Sequence, residues 1–354
     1  MNDEELDLLR STARDWLTAH CAARPDHHES RSAVLVRWKD MAQLGWTAAL
    51  IPEAHGGSGL GLRAYAAIAE ELGRETVVAP LLSSSLLAVQ ALEHCDSARA
   101  LDALRAIAEG SLVVGWAHDE GPHHGEALDA TAQPDVLQWR LDGSKRFVLD
   151  GAVADKFLVT ARIDGDPAVF LVDCDEVETA TLDTIDGRPF AHVEFSAAAA
   201  MHIGGPEMVA RLLDLGRLGI ASEMLGAARR AFEITISYLK QRVQFDQPIG
   251  AFQALQHRVA ELHVAIELAA ACVNTGWSAA EEDRGDWTEV AVLANYMSSR
   301  ALHATAREMV QLHGGIGMTA EHLAGRYLKW GMVSEKLFGD ESHLTGLYAD
   351  RGGF

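Results

Sequence analysis

Residues 242–257 read RVQFDQPIGAFQALQH. The stretch interrupts two long helical patterns, and its reading decides how the C-terminal half folds. Upstream, 207–241 contains no proline and repeats apolar residues every three to four positions, as an amphipathic helix requires. Pro248 and Gly250 break that pattern, and Phe252, Gln253, Gln256 and His257 open a second one. The second runs across 252–282. A third runs from Trp287 to His313, where GGIG ends it. Three long helices with short breaks predict an antiparallel bundle. On its chemistry the junction has two readings. It is an αα-hairpin loop with a capped start, or it gathers Arg242, Phe245 and amide side chains to meet an anionic, aromatic ligand such as a nucleotide. QLHGGIGM, 311–318, is a second junction of this kind. Its glycines permit close backbone approach and Gln311 can hydrogen-bond, although a plain helix C-cap would look the same.

Before the bundle the texture is different. From about 111 onward, SLVVGWAHD, DVLQWRLDG, KRFVLDG, DKFLVTARIDGD, AVFLVD and HVEFS are short β-branched and aromatic runs separated by Asp-Gly turn signals. They predict a small antiparallel β-domain. SAAAA, 196–200, reads as the linker that leaves it. The first ~110 residues carry helical spacing (Leu8, Ala13, Trp16, Leu17; then Trp38, Met41, Leu44 with Gly45 as a stop) and breaks such as IPEAHGGSGLG. The expected class is α+β, mostly α. Its domains are a helical one over 1–110, an antiparallel β-domain over 111–203 and a four-helix-type bundle over 204–354.

Bulk properties exclude several classes. With 354 residues and 48% hydrophobic content the chain can bury a large core. A net charge of −21 opposes nucleic-acid binding, which needs clustered Lys and Arg. Cys21, Cys95, Cys174 and Cys272 are too scattered for a disulfide framework or a zinc knuckle. The acidic, amphipathic start lacks a signal-peptide layout, and no apolar run reaches membrane length, so a cytoplasmic protein off the membrane is expected. HGGSGLG, 55–61, has Gly57 and Gly59 but Leu62 where a dinucleotide fingerprint needs glycine, so it reads as a structural loop. His27-His28 and His123-His124 read as surface loops. Neighbouring residues diverge and no known ligand spacing is met, so no metal is expected.

Taken together, WKDMAQLGWTAALIPEAHGGSGLG (38–61), AIAEELGRE (67–75), LDGSKRFVLDGAVADKFLVTAR (141–162), RVQFDQPIGAFQALQHRVAEL (242–262) and QLHGGIGMTAEH (311–322) resemble the acyl-CoA dehydrogenase family over nearly the whole chain. The resemblance implies FAD held at a subunit interface, each bundle completing a neighbour's site. It places Arg242 on the pyrophosphate, Phe245, Phe252 and Gln253 along the adenosine, and Gln311, Gly314 and Gly315 against the same cofactor. It also implies an acyl-CoA thioester substrate. A glutamate takes the α-proton, the β-hydrogen leaves as hydride to the flavin, and an electron-transfer flavoprotein is the acceptor.

The sequence departs from the family at the base. Counted back from ADR (349–351), the family glutamate falls on Gly339, with Phe338 in the aromatic place; counted forward from Arg326 it falls on Glu335. The C-terminal count is preferred. The alternative family position, before an arginine on the first bundle helix, is Gly216-Arg217. WAHDEGPHHGE (116–126) replaces a Glu-Pro-x-x-Gly-Ser-Asp-like stretch, and Phe147-Val148-Leu149 replaces Trp-x-Thr behind the flavin. These departures resemble the base-lacking subunits of heteromeric α2β2 acyl-CoA dehydrogenases of bacterial steroid side-chain degradation. The expected role is a subunit that completes a partner's FAD site. One alternative is a self-sufficient homo-oligomer with Asp340, Glu341 or Glu335 as a displaced base; another is a flavin-dependent oxygenase on the same fold.

Overall fold

The computed structural model describes residues 1–23, 30–125, 127–136 and 138–353. In chain order the helices are α1 (Asp3–Cys21), α2 (Arg31–Gln43), α3 (Leu62–Arg74), α4 (Val89–Leu92, continuing a π-helical segment Leu81–Ala88) and α5 (Ala98–Ala108). Strands β1 (Val114–Ala117), β2 (Thr131–Asp135), β3 (Gln138–Val148), β4 (Lys156–Ile163), β5 (Asp166–Asp173), β6 (Val177–Leu182) and β7 (Phe190–Gly204) follow. Then come α6 (Pro206–Gln241), a hairpin of β8 (Val243–Gln244) and β9 (Gln247–Pro248), α7 (Gln253–Glu281), α8 (Trp287–His313), α9 (Ala324–Ser334) and α10 (Glu341–Gly352). Pro206 opens α6, a position where its missing N–H costs nothing. Among the described residues no helix is long and apolar enough to cross a membrane.

The chain forms two compact units, each drawn from separated stretches. The first combines residues 1–23, 62–77 and 217–353. Here α7 packs along α8, α9 and α10 pack on α8, and α3 lies against α1 and α7. The backbones of α3 and α6 meet almost directly. A Cβ on Gly73 would fall 1.9 Å from the Glu223 carbonyl oxygen, and one on Gly226 1.8 Å from that of Glu70. Only glycine permits this approach from both sides. The close packing also buries charges on α3, and each is answered. Arg14 donates to both Glu71 oxygens at 2.9 and 2.7 Å, Arg74 clasps Glu233 at 2.9 and 2.6 Å, and Arg229 pairs with Glu70. Unpaired, such buried charges would be strongly destabilising.

The second unit comprises residues 30–61 and 78–216 and holds the β-structure. Strand β4 pairs with β5, β5 with β7, β7 with β3 and β3 with β2, all antiparallel; β2 returns to β4 at Thr131 and Arg162 and closes the ring. That closing pair and β1 with β4 are the parallel contacts, because β1 enters from α5 rather than through a hairpin. The stretch 196–200 is not the expected linker. It lies inside β7, where Ala198 pairs with Leu141 and Ala200 with Trp139, both alanines buried. Small inward side chains leave interior room for Phe157 and Phe170. The 55–61 loop folds back on 48–51: Gly59 N–H donates to the Ile51 carbonyl and Ser58 N–H to that of Ala48. It is a turn on no strand.

Candidate functional site

The two junctions singled out in the sequence meet at one end of the first unit. Arg242 N–H donates to the Tyr238 carbonyl at 2.8 Å, closing α6. Tyr238 stacks on His313 with ring centroids 4.3 Å apart, and its hydroxyl donates to the His313 carbonyl at 3.3 Å. The end of α6 is thereby fixed to the end of α8. The His322 ring lies tilted against that of His313, with centroids 4.3 Å apart. Burial pushes the His313 imidazole below its ordinary pKa. Burial does the same to His322, and the neighbouring His313 adds to it. Neither histidine was singled out as a site residue in the sequence, although both lie within the quoted stretch QLHGGIGMTAEH.

Between β8 and β9, Phe245 and Asp246 form a two-residue turn with φ of 53° and 62°. Two positive φ values give a primed hairpin turn, normally the province of Gly and Asn, and an aromatic there is strained. The turn holds Phe245 86% exposed, edge-on to Phe252 at 6.0 Å. Arg242, Gln253, Gln311, Gly314 and Gly315 are also exposed, as are Ile316 and Met318. Among the described residues the Arg242 guanidinium has no hydrogen-bond or ion-pair partner. A Cβ placed on Gly314 or Gly315 would meet nothing within 4 Å. An unengaged cation, an edge-on aromatic pair, an amide and open backbone suit the phosphate and adenosine parts of a dinucleotide.

The residues at the expected base positions are also held in place. Gly339 has φ of +118°, follows Phe338 at φ 60°, and would bring a Cβ to 2.6 Å from His343 Cδ2. Phe338 is buried, and its carbonyl accepts from Arg217 Nε at 3.1 Å, while the Leu337 carbonyl accepts from Asn295 at 3.4 Å. The segment is clamped in a shape made for glycine. Asp340 caps α10 by accepting from His343 N–H at 3.1 Å. Glu335 pairs with His303 at 3.0 Å and with Lys336 at 3.6 Å. Glu341 accepts from the Tyr296 hydroxyl at 3.4 Å, with its side chain 67% exposed. Glu335 and Glu341 border a cleft of about 290 Å³ lined otherwise by Ser299, Arg300, His303, Ala304 and Lys336. Ala304 is the one apolar residue in that lining. Gly216 lies within α6, followed by the buried Arg217.

In the second unit Phe147 sits at φ 51°, 47% exposed and edge-on to His192. Leu149 is buried and bridges Trp116. No side-chain hydroxyl stands at 149 to donate to a flavin. The His123-His124 pair divides. His123 is exposed, whereas the His124 side chain is 4% exposed and lies 2.8 Å from Asp119. The surface-loop reading is therefore corrected for His124: adjacent side chains diverge, and one of the two turns inward. His27-His28 lies outside the described residues.

Family models match both ends of the chain. The acyl-CoA dehydrogenase N-terminal domain matches residues 3–111, and the C-terminal domain matches residues 204–352. The chain belongs to the acyl-CoA dehydrogenase family. Members of this family are FAD flavoproteins. The chain is 31% identical to acyl-CoA dehydrogenase IpdE2 of Mycolicibacterium smegmatis over 95% of both chains. It is 30% identical to acyl-CoA dehydrogenase FadE27 of Mycobacterium tuberculosis over 82% of this chain and 80% of the relative. Among solved structures, a variant of the Tcur3481–Tcur3483 steroid ACAD superimposes with a TM-score of 0.89 at 31% identity, covering 99% of each chain. The ChsE4–ChsE5 complex of Mycobacterium tuberculosis superimposes with a TM-score of 0.90 at 26% identity, over 100% of this chain and 98% of that one.

Proposed function

We propose that the chain is the base-lacking subunit of a heteromeric acyl-CoA dehydrogenase, completing the FAD site of a partner subunit that carries the glutamate. The observation that carries this reading is Gly339. Where a base would stand, the backbone adopts a conformation that disfavours any side chain, and the three nearby carboxylates are engaged elsewhere. Two similar solved structures are named as two-component assemblies, one of them a steroid enzyme, which supports a second subunit and a steroid-type acyl-CoA thioester.

In this role Arg242 would hold the FAD pyrophosphate, Phe245, Phe252 and Gln253 the adenosine, and Gln311, Gly314 and Gly315 the adjoining polar edge. Bound FAD supplies the hydride acceptor for α,β-dehydrogenation, which no side chain can replace. This chain's residues bind and orient. The α-proton goes to the partner's carboxylate, because losing a positioned base costs about 10²–10⁴-fold. Exposed Phe245, Ile316 and Met318 agree with a surface that a neighbouring subunit covers. The division into 1–110, 111–203 and 204–354, a cytoplasmic site and an electron-transfer flavoprotein as acceptor belong to the same proposal.

The test is expression alone and together with the neighbouring dehydrogenase subunit, measuring flavin per chain and anaerobic bleaching by acyl-CoA. Bleaching only in the co-expressed complex is expected. Full flavin content and turnover by this chain alone would show a self-sufficient homo-oligomer instead. Reduced-flavin-dependent oxygen uptake would show an oxygenase.

A further inference from the structure

The end of β1 carries a side-chain cluster that the flavin reading does not use. His118, Asp119 and His124 bring one ligand atom each to within 4.8 Å of one another. We propose that these three residues form a binding site for one divalent cation of the zinc type. The donor set is two imidazoles and a carboxylate, which zinc prefers, and three protein ligands are the number found where a fourth position stays open. Arms of about 2.0–2.2 Å span ligand edges of roughly 3.3 Å. The 2.8 Å His124–Asp119 edge and the 4.8 Å limit bracket that value, so side-chain rotation suffices to close the site.

The surroundings are built for it. His118 Nδ1 is engaged by Thr160 Oγ1 at 3.0 Å, a contact that fixes the ring. Thr160 is held in turn by Lys145, whose ammonium also donates to the His118 carbonyl at 2.9 Å and to Glu120 at 2.5 Å. Glu120 closes the ligand loop by accepting from the backbone N–H groups of Asp129 and Ala130 at 2.6 and 3.1 Å. The carboxylates Asp119, Glu120 and Asp129 outnumber the single ammonium of Lys145, so the cluster has room for positive charge. His118 is 8% exposed and the His124 side chain 4%, while the Asp119 side chain keeps 25%, enough to admit the ion and a water ligand. The cation fastens the 119–125 loop onto the end of β1. No sequence signal marks it, because the two histidines are brought together by a loop rather than by helical spacing.

The test uses the full chain without a histidine tag, stripped with a chelator and titrated with ZnCl2 against a chromophoric competitor, then with Co²⁺ by visible absorption. One ion per chain is expected, with a zinc-dependent rise in Tm. His118→Asn and His124→Asn should each weaken binding by at least about tenfold and abolish the rise in Tm. Asp119→Asn, nearly isosteric, serves as the third variant; far-UV circular dichroism confirms folding, and His124→Asn on the loop carries the test if His118→Asn does not fold. Failure of the parent chain to bind stoichiometric metal overturns the proposal. So does binding that survives both histidine variants, or that is lost only in His27→Asn/His28→Asn.

Discussion

Placing a glutamate at 339 tests the reasoning about the missing base most directly. Gly339 holds φ at +118°, a region essentially reserved for glycine, and a side chain there costs about 1–3 kcal/mol. The new Cβ would also lie 2.6 Å from His343 Cδ2 and 3.2 Å from Leu344 Cδ2. The histidine ring can swing away, so the clash adds less than the backbone. The backbone has less freedom, since Arg217 and Asn295 hold the two preceding carbonyls and Asp340 caps the next helix. For a unit of this size each kcal/mol lowers Tm by roughly 2–4 °C. Gly339→Glu should therefore melt roughly 2–12 °C below the parent chain and show no acyl-CoA turnover alone. Gly339→Ala should lose most of the same stability, because the strain lies in φ. Thermal melts of the three proteins, with single-turnover flavin bleaching, decide the matter. A Gly339→Glu chain that melts with the parent and gains turnover without a partner would refute the account.

Arg242→Ala removes the unengaged guanidinium. Losing one charge-assisted contact, worth about 1.5–3 kcal/mol, should weaken FAD retention by the complex roughly 10–150-fold, read by equilibrium dialysis. Asp340→Ala should cost about 1 kcal/mol as a lost helix cap and leave turnover by the complex intact, measured by melts and steady-state rates. Glu335→Gln should likewise spare turnover; its loss would revive the displaced-base alternative. His313 and His322 give a pH dependence. Both are held below the ordinary histidine value of about 6.5, so the unfolded chain binds more protons in the window beneath it. Their contribution is complete above pH 6.5 and is lost as pH falls through the folded values. Melts between pH 5 and 7 should slope less in His322→Asn than in the parent chain.

The long helices were legible because apolar periodicity runs unbroken between Pro and Gly stops, and α8 spans the very stretch from Trp287 to His313 that periodicity marks. The junction residues were legible as a set, since Arg242, Phe245, Gln253 and Gln311 flank those stops. What joins them, the Tyr238–His313 stack with His322 tilted against it, was not, because ring contacts between distant residues leave no local pattern. Alternation failed at 196–200, where an alanine run pairs as strand and its small side chains are what the barrel interior needs. The burial of Glu70, Glu71 and Arg74 along α3 left no mark in the local sequence. Their partners lie far off in sequence, and pairing rather than composition decides their burial. The positive φ of Gly339 agrees with the glycine itself, but its clamp on Arg217 required the fold.

The glycine crossing of α3 and α6 also sets a timetable. Arg74 meets its Glu233 partner across 159 residues, and Tyr327 reaches the Arg74 carbonyl across 253. At about 5–20 residues per second a ribosome needs roughly 8–30 s to make the first of these stretches. During that interval Glu70 and Arg74 on α3 await Arg229 and Glu233, while Glu71 already has Arg14 upstream of it. The first unit closes late in synthesis, when the C-terminal helices have emerged to receive it.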